Sequence, residues 1–352
     1  MNRLRTARHL VALPQSRPRG FTLIEMMIAM VLGLIVIAGV TSVFLAGQKS
    51  FRTNNALADV QDSSRIAFEL MARDIREAGS TGCNSANNRV TNVLANSPGN
   101  ASTPAWWADW SNAVHGYDSS STDPALSGLN QVAGTDSLEL ISTGDLNVTI
   151  ANDDPGVNFK LNSSTDQLTG GDVIVACSPD HAAILQISNY NNSNVTVDYN
   201  TGNTNQPGNC SSNLGYPNNA CTGNSPDYTF PPNSNIAKLT AADWYIGTNP
   251  EGGTSLYRVD LENSGGNMTT ATQEMVRNVT GMTITYLNPS ISGLGNQFLT
   301  ATQITANNGW AGVTAVNVAL TIQSTFQRAS VDASKPITRS YAFTTTLRNR
   351  VH

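Results

Sequence analysis

Two hydrophobic periods divide the chain. The run FTLIEMMIAMVLGLIVIAGVTSVFLAG, residues 21–47, is apolar around its whole circumference and carries a single acid, Glu25. A helix without a polar face predicts burial in a protein core or in lipid. Residues 21–46 span about 39 Å at roughly 1.5 Å per residue, enough to cross a hydrocarbon core of roughly 30 Å. From residue 48 the helical period continues with a different face structure: Leu57, Val60, Phe68, Met71, Ile75 and Ala78 fall near one stripe. The opposite face places Arg65 and Glu69, Glu69 and Arg73, and Arg73 and Glu77 at i,i+4, where each pair adds about 0.2–0.5 kcal/mol. These charges read as a solvated face, and Gly79 is the expected stop.

Beyond Gly79 the apolar period shortens to two. Strands are expected at 137–141, 172–176, 183–187, 194–199, 254–260, 282–287, 313–323 and 341–350, each β-branched or aromatic and bounded by turn residues. The Asn-, Gly- and Pro-rich stretches 84–104 and 200–235 are expected to be surface loops. One amphipathic helix cannot bury its stripe alone. The economical architecture is therefore α+β, with the second half of the long helix laid across the antiparallel sheet of a β-rich body.

Charge orients this arrangement. Arg3, Arg5, Arg8, Arg17 and Arg19 precede the apolar run with no acid among them, which holds residues 1–20 in the cytoplasm and sends everything after Gly47 across the membrane. The net charge of -5 and the lack of a basic face after residue 80 argue against nucleic acid as a partner. All four cysteines lie beyond the apolar segment, where an exported chain meets an oxidising compartment. Of the three pairings that four cysteines permit, the short turn-rich segment SSNLGYPNNA favours Cys210 with Cys221, leaving Cys83 with Cys177.

Little catalytic chemistry is legible. His9, His115, His181 and His352 are scattered, and no C-x-x-C accompanies them, so no metal is expected. Without G-x-S-x-G, P-loop or dinucleotide fingerprint, no cofactor and no enzymatic activity are expected. Asp153 and Asp154 in NDDPG read as a turn in preference to a calcium loop. Trp106, Trp107 and Trp110 read as core packing under the sheet, with a binding hot spot as the other reading.

In a secretory signal the cleavage site follows the apolar core; here a small residue, Gly20, precedes it. Gly20-Phe21-Thr22-Leu23-Ile24-Glu25 resembles the type IV prepilin motif. That resemblance implies cleavage after Gly20 by a prepilin peptidase, N-methylation of Phe21, and an assembly role for Glu25 with Thr22 beside it. A carboxylate within an apolar span costs about 2.5–3.5 kcal/mol unless it is partnered. The resemblance supplies the partner, the N-terminal amine of a neighbouring subunit.

The segments DVQDSSRIAFELMARDIREAG at 59–79, LYR at 256–258, EMVRNVTGMTITY at 274–286 and the closing LRNR narrow the resemblance to the PilW family of minor pilins. It implies a type IV pilin-like fold. A cleaved leader covers 1–20, a transmembrane assembly helix 21–47, its periplasmic amphipathic continuation 48–79, and a β-rich body 80–352. It also implies a subunit that sits single-pass in the inner membrane and then on the pilus or cell surface, and meets other minor pilins, the major pilin and the inner-membrane assembly machinery. Such a protein primes the pilus and ends at or near its tip, serving twitching motility and adhesion. The alternatives are a minor pseudopilin of a type II secretion system and a pilus-borne adhesin or DNA-uptake subunit.

Overall fold

A computed structural model describes residues 20–82, 89–144, 146, 148–202, 204–217, 221, 225–325 and 335–350. The five leader arginines and Cys83 lie outside these residues. The chain divides into two compact units, one ending at Asn54 and the other beginning at Asn55. Helix α1, Leu23–Glu77, contributes residues to both.

In the first unit α1 is apolar and exposed all round: Leu34, Ile35, Val36 and Ile37 each leave more than 60% of their surface uncovered. At roughly 25 cal/mol per Å², surface of this kind is driven out of water. This helix is long and apolar enough to cross a membrane.

In the second unit α1 buries Ala56, Val60, Ser64, Ala67, Met71, Ala72 and Ile75, at spacings of three or four residues with one adjacent pair. Leu57 and Phe68, expected in the stripe, are half-buried at its borders, while alanines and Ser64 let the backbone approach the sheets. The exposed face carries the ion pairs Arg65–Glu69 at 3.4 Å and Arg73–Glu77 at 3.6 Å. Past Glu77, Gly79 takes a φ of +73° and donates its N–H to the Ile141 carbonyl at 2.7 Å. That left-handed conformation is where glycine carries no Cβ penalty.

Among the described residues sixteen strands follow. The first eight are β1 (Val90–Asn92), β2 (Val114–Tyr117), β3 (Ser137–Thr143), β4 (Val148–Asp154), β5 (Asn158–Leu161), β6 (Val173–Cys177), β7 (Ala182–Gln186) and β8 (Asn189–Asn191). The rest are β9 (Thr196–Asp198), β10 (Asn235–Thr248), β11 (Thr254–Ser264), β12 (Asn267–Arg277), β13 (Val279–Leu287), β14 (Phe298–Leu299), β15 (Ala315–Gln323) and β16 (Thr338–Thr346). β14-β13-β15-β16 form one antiparallel sheet, and the other twelve strands join a larger sheet in which the β1–β7 pair is parallel. The fold is thus α+β and pilin-like, a long N-terminal apolar helix followed by a β-rich body.

The larger sheet is organised by β10, which the sequence reading did not mark as a strand. Its first residues pair with β4 and β6, and from Leu239 onward it pairs with β3 and then β11. Residues 241–247 are all buried, so the alternation that betrays a half-buried strand is absent. Val60, Met71 and Ile75 of α1 pack with Leu138, Trp244 and Leu256 of this sheet and with Ile284, Tyr286 and Val318 of the smaller one.

Two expectations are corrected here. The stretches 84–104 and 200–235 are not merely surface loops: Val93, Leu94, Leu214 and Phe230 are buried, and Leu214 and Phe230 join a second core with Ile150, Phe159 and Tyr199. Such polar sequence can be buried because side chains replace the missing ladder. Asn209 accepts from the Gln186 N–H and donates to the Gln186 carbonyl, both at 2.7 Å.

Most other readings survive contact with the structure. Trp107 is buried while Trp106 and Trp110 are half-buried, all three against a core that includes Val173, Val175 and Leu239. Asp153 and Asp154, read as a turn, are instead the last paired residues of β4, with the turn at 155–157, and buried Asp153 accepts the distant Phe230 N–H at 2.7 Å. Cys210 and Cys221 form a disulfide with Cα atoms 5.1 Å apart. Cys177 is also disulfide-bonded; its expected partner, Cys83, lies outside the described residues. Non-reducing peptide mapping is expected to recover Cys210 linked to Cys221, and Cys210→Ser to cost about 2–4 kcal/mol in an unfolding titration. Free thiols at both positions in the exported protein would reject this.

Candidate assembly site

The first turn of α1 has the geometry of a capping box. Thr22 Oγ1 accepts the Glu25 N–H at 3.3 Å, and Glu25 Oε2 accepts from the Thr22 N–H at 3.0 Å and from the Thr22 hydroxyl at 2.9 Å. The first N–H groups of any helix lack intrahelical partners, and in an apolar setting that deficit is costly. Here a side chain at each end of T-x-x-E satisfies the other's backbone, and the carboxylate sits at the positive end of the helix dipole. The pattern is readable in the sequence as Thr or Ser, two residues, then an acid ahead of an apolar run. Glu25 is therefore satisfied inside its own chain. Gly20 and Phe21 are exposed beside it, Phe21 to 89%, and nothing lies within 4 Å of a Cβ built at Gly20. Further along, Thr41 donates its hydroxyl to the Ile37 carbonyl at 2.7 Å, leaving no bare polar group on that apolar turn.

A second constellation joins segments far apart in sequence. Asp74 Oδ2 accepts from Trp244 Nε1 at 2.9 Å and from Arg258 Nε at 2.8 Å. The Arg258 guanidinium also contacts Asp260 and lies 5.8 Å from the Trp244 ring centroid. Asp74 and Arg258 keep only 16% and 25% of their side-chain surface exposed. They line an open groove of about 340 Å³ with Leu70, Arg73, Trp244 and Met275. Near the end of the chain Arg350 donates to the carbonyls of Trp310 at 2.9 Å and Val313 at 3.3 Å, and burial pushes its guanidinium below the ordinary arginine pKa. The segments ARDIREAG, LYR and LRNR therefore share a structural task. The first two are tied across the helix–sheet packing, and the last brings Asn349 and Arg350 within 3.5 Å of where a Gly79 Cβ would stand. Sequence reasoning grouped these segments without seeing the Asp74–Arg258 contact, which spans 184 residues.

An exposed apolar helix, long enough to cross a membrane, capped by Thr22 and Glu25 directly after Gly20 and followed by a helix-on-sheet body is the arrangement of a pilin-like fold. Residues 15–41 match the prokaryotic N-terminal methylation motif, and residues 243–349 match the type IV pilus-assembly protein W family, PilW. The second match begins at Asp243 and takes in Trp244, Arg258 and the LRNR segment up to Asn349. Together the matches support a minor pilin-like role in a structural protein class and processing by a prepilin peptidase. No curated protein matches the chain.

Proposed function

We propose that this chain is a minor pilin, cut after Gly20 and N-methylated on Phe21, that joins other minor pilins in the inner membrane to prime the type IV pilus and is carried to its tip. The observation that carries the reading is Glu25, an acid at the first turn of the apolar half of α1 with Thr22 as its partner among the described residues. In the unassembled subunit the capping box keeps the carboxylate satisfied. In the filament it accepts the charged amine of a neighbour's Phe21, so that two charges neutralise each other in an apolar layer and fix the register between helices. The β-rich body stands in the periplasm before assembly and on the pilus surface afterwards, where it serves twitching motility and adhesion. The major pilin and the inner-membrane assembly machinery are its further partners.

Mass spectrometry of the mature chain is expected to show an N-terminal N-methyl-Phe21. An intact Met1 terminus, or a cut elsewhere, rejects the processing step. Deleting the gene is expected to remove surface pili and twitching while exoprotein secretion stays normal. Lost secretion with intact pili assigns the chain to a type II secretion system instead.

A further inference from the structure

The face of the larger sheet turned away from α1 carries a row of acids that assembly does not use. Asp243 on β10 pairs directly with Glu139 on β3, and Glu139 pairs with His115 on β2. Directly paired residues share a face, so these three point together, opposite to Leu138, Leu140 and Trp244, which pack with α1. The segment 118–131 closes over the row. Its ends are pinned: Asp118 accepts the Ala301 and Thr302 N–H groups at the start of helix α2 (Ala301–Ala306), and the Asn130 carbonyl accepts the Thr248 N–H at 3.1 Å. Between the pins, Asp123 caps the 3-10 turn Pro124–Leu126 through the Ala125 N–H at 2.8 Å and takes the Ser137 hydroxyl on its other oxygen. Leu126 and Leu129 pack with Tyr245, Tyr257 and Val259.

Asp123, Glu139 and Asp243 are 5%, 5% and 0% exposed. Among the described residues neither Asp243 oxygen makes a hydrogen bond of good geometry, although the Leu138 and Trp244 N–H groups act on the carboxyl. Among the described residues none of the three acids is paired with a lysine or arginine. Asp123 reaches the row through Ser137, which stands two residues from Glu139 on β3 and therefore on the same face. The other titratable groups around the row bring no positive charge: Tyr117 on β2 donates to Glu139 Oε2 at 3.2 Å, Tyr245 and Tyr257 come from β10 and β11, and Tyr286 from β13. Burial keeps His115 below its ordinary pKa and so disfavours the imidazolium, Asp109 being the acid that opposes this. Asp118 and Asp136, which act on Tyr286, are held by backbone N–H groups. Nor is a metal ion the evident counter-charge, since among the described residues no group of three or more His, Cys, Asp or Glu is placed to hold one.

We propose that Asp123, Glu139 and Asp243 form a proton-operated latch: with protons shared among them they hold residues 120–129 closed on the outer sheet face, and their ionisation drives that segment off. Opening uncovers Tyr245, Tyr257 and Val259 beside the existing cleft of about 560 Å³ along residues 121–131. Burial first, and repulsion by the neighbouring acids second, raise Glu139 and Asp243 well above their ordinary values, while burial raises Asp123 against hydrogen bonds that lower it. An acid whose pKa is higher folded than unfolded keeps a proton in the native state that the unfolded chain has lost. From about pH 4, the unfolded value, up to the folded values, stability contributed by the latch therefore falls as pH rises, the reverse of an ion-paired carboxylate.

The test uses the full-length chain in detergent micelles, followed by thermal melting and by hydrogen exchange, corrected for intrinsic rates, from pH 5 to pH 9. In the wild type the melting midpoint is expected to fall by about 5 °C or more, with exchange in 120–129 rising about tenfold. Asp243→Asn and Glu139→Gln should each flatten both slopes. Equal slopes in wild type and variants overturn the latch, as does a calcium-induced rise in the wild-type midpoint that EDTA reverses and Asp243→Asn abolishes. Should both variants fail to fold, wild-type exchange in 120–129 that does not change with pH overturns it by itself.

Discussion

Glu25→Ala is expected to insert into the membrane normally and to be lost from the minor-pilin complex. Insertion is retained because removing an acid makes the helix more apolar. The lost Thr22 contacts cost helix initiation no more than the roughly 1 kcal/mol typical of a cap. Assembly carries the larger effect. A neighbour's amine left without its counter-charge in a low-dielectric layer costs about 3–5 kcal/mol, a drop in association of roughly two to three and a half orders of magnitude. Glu25→Gln separates two contributions, since the amide keeps an acceptor for the Thr22 N–H and hydroxyl but carries no charge. Loss of co-purification with partner pilins in both variants assigns the effect to electrostatics, whereas rescue by Gln assigns it to the cap. Wild-type recovery and piliation with both would remove Glu25 from the assembly mechanism.

The second large effect is expected at the helix–sheet clamp. Asp74→Ala takes the acceptor from the Trp244 indole and from Arg258 at one stroke, leaving a buried N–H donor unpaired and the largely buried guanidinium with Asp260 alone. A fully buried pair broken on one side costs about 3–5 kcal/mol; with 16% and 25% exposure remaining, water recovers part of this and about 3 kcal/mol is expected. For a unit of nearly 300 residues that lowers the melting midpoint by about 6 °C. A double-mutant cycle of Asp74→Ala with Arg258→Ala should show coupling of about 1 kcal/mol or more. Additive losses would mean that the contact seen between Asp74 and Arg258 holds nothing together.

The same two sites show how far local chemistry is readable. The capping box lies within four residues, so its pattern, T-x-x-E before an apolar run, is written in the chain. The clamp is not, because Asp74 looks like any acid on the charged face of an amphipathic helix until a sheet brings Arg258 to it. The strand β10 escaped for a related reason. Period-two reading detects strands with one wet face, and NIAKLTAADWYIGT is covered over most of its length on both. The polar composition of 200–235 hides its anchors, because composition counts residues and not their burial, and Leu214 and Phe230 lie in a core.

What the sequence determined by itself is whatever depends on neighbours along the chain: an all-round apolar helix, its cap at Thr22 and Glu25, its stop at Gly79, the amphipathic stripe through Val60, Met71 and Ile75, and strands exposed on one face. Those elements arise from periodicity and backbone satisfaction within a few residues, so no partner from elsewhere is required to see them. Tertiary structure alone decided which side chains lost water: that Asp74 would meet Trp244 and Arg258, and that Asp243, Glu139 and Asp123 would be buried together without a cation among the described residues. Carboxylates spell identically in sequence whether they are solvated, clamped or holding a proton. Their charge state is set by the dielectric and the donors around them, and those are supplied by segments more than a hundred residues apart.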